Sequence, residues 1–261
     1  MSIHFFLFIS LKIIKMKKEL VALAATVAAF ASPVMALEGS VGAGVHAFDF
    51  GYRGMDIETY AVPAVSIETD HLYWIGFSAG AYLLKTDNHR VRLGVSYMPT
   101  EFDAGDSDNR QMKMLDDRDA SVFANVAYAW HTDFGILNVD FGGDISGKSD
   151  GLKADVSYLK RFGFGRLGIT PQVGFVWTND KFNDYYYGVS KKESAKSGIA
   201  TYNADGGVSP YARVVADYFV TNNILVYAEA SVRSYSEEIK DSPMMEDDIM
   251  YGFGCGVSYL F

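Results

Sequence analysis

The chain has 261 residues, with 25 Gly, 17 Tyr, 18 Phe, only 6 Pro, one Cys and a formal net charge of −9. The acidic balance leaves no basic excess to displace counterions, which argues against nucleic acid as a partner, and a lone cysteine permits no internal disulfide. So much glycine and aromatic residue departs from an average globular domain in the direction of a membrane β-barrel.

The N-terminus reads as an address. Lys17 and Lys18 precede an apolar run from Leu20 to Phe30, followed by Ser32-Pro33-Val34-Met35-Ala36, the small-residue pattern of a signal-peptidase site. Residues 1–36 are therefore expected to be a cleaved signal peptide, and residues 37–261 the mature domain. The run is shorter than the ~20 apolar residues of a spanning helix. Met16 stands directly before the two lysines, so residues 1–15 read as an upstream extension from a misplaced start, with a longer true leader from Met1 as the alternative. Loss of the leader removes four lysines and one glutamate and leaves a net charge of −12. No long apolar run follows, which excludes a helical membrane protein but not a barrel, whose signal alternates.

From Ser40 to Asp49, Val41, Ala43, Val45 and Ala47 share one face, the mark of a strand. Tyr52 to Asp56 turns the chain, and Glu58 to Thr69 is extended with Pro63 inside it, which points to a bulge or an unpaired edge there. His71 to Leu84 reads as one strand with Tyr73, Ile75, Phe77, Ala79, Ala81 and Leu83 on one face. The next places Val91, Leu93, Val95 and Tyr97 opposite Arg90 and Arg92. Residues 99–118 are rich in Asp, Gly, Arg and Lys and read as a solvated loop. Alternation resumes at Ala120 to Trp130, Leu137 to Phe141, Leu152 to Tyr158, Leu167 to Trp177, Val214 to Val220 and Ile224 to Val232, with a long insert at 178–207. The last strand is the clearest. Ile249, Tyr251, Phe253, Cys255, Val257, Tyr259 and Phe261 alternate with residues that are mostly glycine, and Cys255 reads as a small hydrophobe.

The faces opposite the apolar ones carry Arg90, Arg92, Asp140, Lys153, Asp155, Arg213, Asp217, Glu229 and Arg233, all in mid-strand and of both signs. A soluble β-sandwich permits charge on its outer faces. A transmembrane barrel inverts the assignment, with rings toward lipid and charges lining a wet lumen. The exported address and the closing aromatic strand favour the second reading: an all-β, closed antiparallel transmembrane β-barrel. Its strand number is read as 12 by counting Tyr185 to Ser190 as a strand, or 10 if the Pro63 segment is not a full one, since such barrels have even numbers.

Asn183-Asp184-Tyr185-Tyr186-Tyr187-Gly188-Val189-Ser190, Glu193-Ser194, Ser197-Gly198-Ile199 and Tyr202-Asn203-Ala204-Asp205-Gly206-Gly207 resemble the MipA/OmpV family of MltA-interacting proteins. Tyr52-Arg53-Gly54, Ile145-Ser146-Gly147-Lys148-Ser149-Asp150-Gly151 and Asp241-Ser242-Pro243 extend the resemblance over the whole mature chain. It implies an outer-membrane location, with lipid as surroundings and no enzymatic activity. It further implies a scaffold that joins a lytic murein transglycosylase to a penicillin-binding murein synthase, or alternatively a narrow porin or a surface adhesin using residues 178–207. The final strand is also similar to the C-terminal signature read by the barrel-assembly machinery, with Tyr259 and Phe261 as the assembly signal.

No catalytic constellation stands out. His46, His71, His89 and His131 are scattered without a triad spacing. Asp103, Asp106 and Asp108 alternate without the closing Glu of a calcium loop and read as solvated. No metal or cofactor is expected. The strongest site-like cluster is Tyr185, Tyr186, Tyr187, Lys191, Lys192, Glu193 and Tyr202 in the long insert, where tyrosines offer stacking faces and hydroxyls to a partner.

Overall fold

The computed structural model describes residues 38–261, so the expected signal peptide and its cut after Ala36 lie outside the described residues. Strand β1 (Glu38–Asp49) pairs antiparallel with the last strand, β14 (Ile249–Leu260), in the register Ser40↔Leu260 to Asp49↔Tyr251. The first and last strands thus cover each other's edges, as hydrocarbon demands.

Between them run β2 (Glu58–Pro63), β3 (Ser66–Glu68), β4 (Leu72–Ile75), β5 (Ser78–Lys85), β6 (His89–Met98), β7 (Ser121–Thr132) and β8 (Gly135–Asp144), followed by β9 (Leu152–Leu159), β10 (Phe162–Phe164), β11 (Leu167–Thr178), β12 (Gly207–Phe219) and β13 (Ile224–Ser234). All pairings are antiparallel, and β9 against β11 completes the ring. Two interruptions inflate the count. β2 and β3 are one strand along β1, and β9 and β10 are one strand along β11, broken where Lys160 faces Pro171, which has no N–H to give. The wall therefore has 12 strands.

Twelve is the expected number, reached by a different route. Residues 185–190 form no strand: Tyr185 to Tyr187 end a helix, α1 (Asp180–Tyr187). The extra strand comes from the segment read as a single strand over His71 to Leu84, which doubles back at Gly76-Phe77, where Gly76 takes φ 54°. The expected shared face is accordingly split. Tyr73 turns inward opposite Glu68 and Gly80, while Ala79 and Ala81 face out opposite Trp74 and Leu72. The Pro63 segment is a full strand, and an edge: among the described residues β2 pairs only with β1, because the short hairpin stops at Gly76, whose N–H reaches Val65.

Outward faces carry the apolar rows that the alternation assigns to lipid. Val173, Phe175, Phe253, Val257, Tyr259 and Phe261 are exposed, with Phe253 at 59%. The inward glycines of β14 follow from close packing. A Cβ at Gly252 would meet the Phe48 ring, one at Gly254 the His46 ring and one at Gly256 the Tyr227 ring.

Both described chain ends and the turns at 69–71, 86–88, 133–134, 165–166 and 220–223 lie at one end of the barrel, and the long loops, together with the Gly76-Phe77 hairpin, lie toward the other. That arrangement places the short turns in the periplasm and the long loops outside the cell. The densest apolar core sits at the long-loop end. Tyr52, Phe102, Met112, Leu115, Phe123, Phe182, Tyr186, Tyr187, Val189, Ile199, Tyr235, Ile239, Met244 and Met245 pack into one cluster drawn from several loops. Residues 99–118, expected as a solvated loop, thus supply buried Phe102, Ala104, Met112, Leu115 and Arg118 to this cap. Their charged neighbours masked the apolar spacing.

Candidate functional site

The cap is built around α1. Asn179 caps it by accepting from the Phe182 N–H at 3.1 Å, and also accepts from Leu152 N–H at 2.8 Å, which pins the helix to the top of β9. Tyr186, fully buried, donates to the Asp119 carbonyl at 3.1 Å and lies 2.9 Å from the Ser121 hydroxyl. Tyr52 donates to the Tyr186 carbonyl at 3.2 Å and stacks on Tyr187 at 5.7 Å, and Tyr187 meets the edge of Tyr235 at 5.9 Å. Burial holds the phenols of Tyr52, Tyr187 and Tyr235 above their ordinary range, so they are neutral packing groups.

A second helix, α2 (Lys191–Ser197), opens with a capping box between Ser190 and Glu193. Glu193 also accepts from Arg118 at 2.8 Å and from the Asp116 N–H at 3.1 Å, while Arg118 donates to the Gly188 carbonyl at 3.1 Å. This buried pair ties residues 99–118 to residues 178–207. Burial raises the carboxyl, but donation from Ser190 and Arg118 outweighs it and brings Glu193 down to about 2. The turn after β8 is knit in the same manner. Asp144 accepts from the N–H groups of Ser146, Ser149 and Asp150 at 2.8, 2.7 and 3.0 Å, which explains the Ile145–Gly151 pattern as a loop wrapped on one carboxylate.

The seven insert residues singled out from the sequence therefore separate. Tyr186, Tyr187 and Glu193 are buried in the cap and are withdrawn from any surface. Tyr185 is half-buried and accepts from the Asp119 N–H at 2.9 Å, and Tyr202 donates to the Glu238 carbonyl at 2.6 Å. Lys191 and Lys192 are exposed, with Lys192 3.9 Å from Asp116. Asp103 is a turn cap that accepts from the Gly105 N–H at 3.0 Å.

All nine expected lumen charges occupy inward register positions. Three groupings result. Arg90 joins Lys85 around Glu68, at 3.4 and 3.6 Å, and Glu68 also accepts from Tyr82 at 2.6 Å. Arg161 grips Asp217 through two bonds of 2.5 and 2.7 Å. Arg213 pairs with Glu229, which is also 3.0 Å from His46 Nδ1. Asp140 accepts from Asn125 at 2.6 Å and stands opposite Asp155, and Tyr211 donates to Asp155 at 3.3 Å. Arg92 lies over Tyr73 at 5.3 Å, Lys153 over Phe123 at 4.4 Å and Arg233 over Tyr211 at 6.0 Å. Glu68, Lys85 and Arg161 are not singled out by the sequence pattern, and His46 enters there only as one of the scattered histidines. Arg161 lies beyond the alternation read over Leu152 to Tyr158, although it keeps the odd-number parity of Lys153, Asp155 and Ser157.

Residues 41–261 match the family described as MltA-interacting protein MipA. The chain belongs to the MltA-interacting protein family. It is 35% identical over 247 residues to the MltA-interacting protein of Escherichia coli K12, covering 94% of this chain and 99% of that one. It is 36% identical over 239 residues to a putative outer membrane protein, YiaT, of the same organism, covering 90% of this chain and 97% of that one. More distant is the outer membrane protein OmpV of Vibrio cholerae, at 23% identity over 213 residues, 82% of this chain and 77% of that one. Among solved structures an outer membrane channel of Pseudomonas putida F1 overlays with a TM-score of 0.45 at 12% identity, covering 88% of this chain and 97% of that one. The closed ring of strands, with a 36% identical relative that is named an outer membrane protein, makes the MipA-family chain an outer-membrane β-barrel.

Proposed function

We propose that this barrel is a non-enzymatic outer-membrane scaffold for murein-remodelling enzymes, holding a lytic transglycosylase, and with it a penicillin-binding murein synthase, at its periplasmic end. The observation that carries the reading is the asymmetry of the two ends. The outer end is closed by a packed apolar cap, whereas the short-turn end offers Phe134, 78% exposed at the tip of the β7–β8 turn, near the basic side chain of Lys160. The name of the Escherichia coli relative, MltA-interacting protein, 35% identical over nearly its whole length, supports the lytic transglycosylase part of this reading. The cap counts against a free channel, since apolar side chains from several loops pack together at the outer mouth, and against an adhesive loop, since the central tyrosines of the insert are buried.

The test is co-purification from native membranes. Detergent-extracted barrel should retain a lytic transglycosylase, and Phe134→Ala with Lys160→Ala should reduce retention while leaving the barrel heat-modifiable on gels. A wild-type barrel that retains no murein enzyme at any salt concentration overturns the scaffold reading.

A further inference from the structure

Beneath the cap the lumen holds a cavity of about 220 Å³ lined by Asp155, Gln172, Tyr211, Arg213, Ser231 and Arg233. Its two arginines are not equivalent. Arg213 is committed to Glu229. Arg233 has no carboxylate among the described residues within the 4.0 Å of an ion pair, and its Nε is buried without a hydrogen-bond partner. A buried N–H on a cation is costly to leave unmet. On the neighbouring wall Asp155 is held only by neutral hydroxyls, Tyr211 at 3.3 Å and Ser157, and it faces a second carboxylate, Asp140, across the β8–β9 ladder. The cavity therefore presents an uncommitted cation and an under-neutralised anion, with the neutral groups of Gln172, Ser231 and Tyr211 around them.

We propose that this cavity binds a small zwitterion, an amino acid or short peptide, with its carboxylate on Arg233 and its ammonium on Asp155. A guanidinium fork matches a carboxylate in two bonds. The volume lies below the roughly 300–1,000 Å³ of drug-sized pockets, which restricts the ligand to a few residues. Entry is from the periplasm. The cap closes the other end, whereas the side chains of Arg161 and Arg213 along the lumen are 48% and 41% exposed.

The experiment is calorimetric titration of the detergent-purified barrel with alanyl-alanine, N-acetyl-alanyl-alanine, which lacks the ammonium, and alanyl-alaninamide, which lacks the carboxylate. The dipeptide should bind saturably and each analogue about 10-fold or more weakly. Arg233→Gln should remove the preference for dipeptide over amide, Asp155→Asn the preference over the acetylated form, and Arg92→Gln neither, because Arg92 shares the stacking over a tyrosine but does not line the cavity. Heat-modifiable mobility reports folding for every variant. If Arg233→Gln does not fold, Arg233→Lys serves in its place, keeping a weakened preference for the carboxylate. No saturable heat with the dipeptide, equal binding of all three ligands, or an equal loss in Arg92→Gln overturns the proposal.

Discussion

Glu193 shows how one side chain decides whether two loops act as one body. Its oxygens satisfy Ser190, the Asp116 N–H and Arg118 together, so Glu193→Gln leaves the Arg118 guanidinium buried without its counter-charge, at a cost of about 3 kcal/mol. Limited proteolysis of the folded barrel should then cut within residues 99–118 or 178–207 well before the wild type. The pH dependence has a definite sign. Because the folded carboxyl sits at about 2, below its ordinary 4.5, its contribution is complete above pH 4.5 and is lost as pH falls toward 2. The wild-type cap should become protease-sensitive to an acid protease through that window, and the Glu193→Gln cap should show no such transition. Tyr186 belongs to the same scale. Tyr186→Phe removes the bonds to Asp119 and Ser121 at about 1 kcal/mol, and Tyr186→Ala opens a cavity in the cap at about 3–5 kcal/mol. None of these roles was legible in the sequence, where a Tyr-Tyr-Tyr run next to Lys-Lys-Glu has the look of a wet binding surface. Burial there is made by residues far away in sequence, such as Tyr52, Phe102 and Tyr235.

Strands were the legible part, and for a simple reason: lipid on one side and water on the other impose a period of two that any single strand displays. The last strand shows it in full, with Tyr251, Phe253, Val257 and Tyr259 outward and glycines inward beneath rings of β1 and β13. Gly254→Val should therefore lower the yield of heat-modifiable barrel, since its added carbons meet the His46 ring. On β11 an arginine at outward Val173, 55% exposed to lipid, should cost about 2–4 kcal/mol in urea unfolding from phospholipid vesicles. Arginine at inward Thr170 should cost less. We propose Phe261 as an assembly signal, so its deletion should reduce the folded barrel recovered in the outer membrane, read by fractionation. Failures of the strand reading occur where the period is locally ambiguous. Trp74-Ile75-Gly76-Phe77 is apolar throughout, and the hairpin hidden in it has Gly76 alone to announce it.

Residues 38–261 together form a cup: 12 strands closed by β1 against β14, a charged lumen, and a lid made by the long loops. Charges in the lumen are mostly neutralised across adjacent strands, as with Arg161 and Asp217 or Arg213 and Glu229, so the interior is polar without a strong field of one sign. Sequence parity identifies which charges face inward but not which ones meet, because partners such as Arg161 and Asp217 are 56 residues apart. The lid is the feature on which the functional account turns, and planar-bilayer recording of the purified barrel tests it most directly. The account predicts a silent bilayer with the intact chain and steady conductance steps once residues 180–199 are deleted. Stable open-channel steps from the intact chain would contradict it.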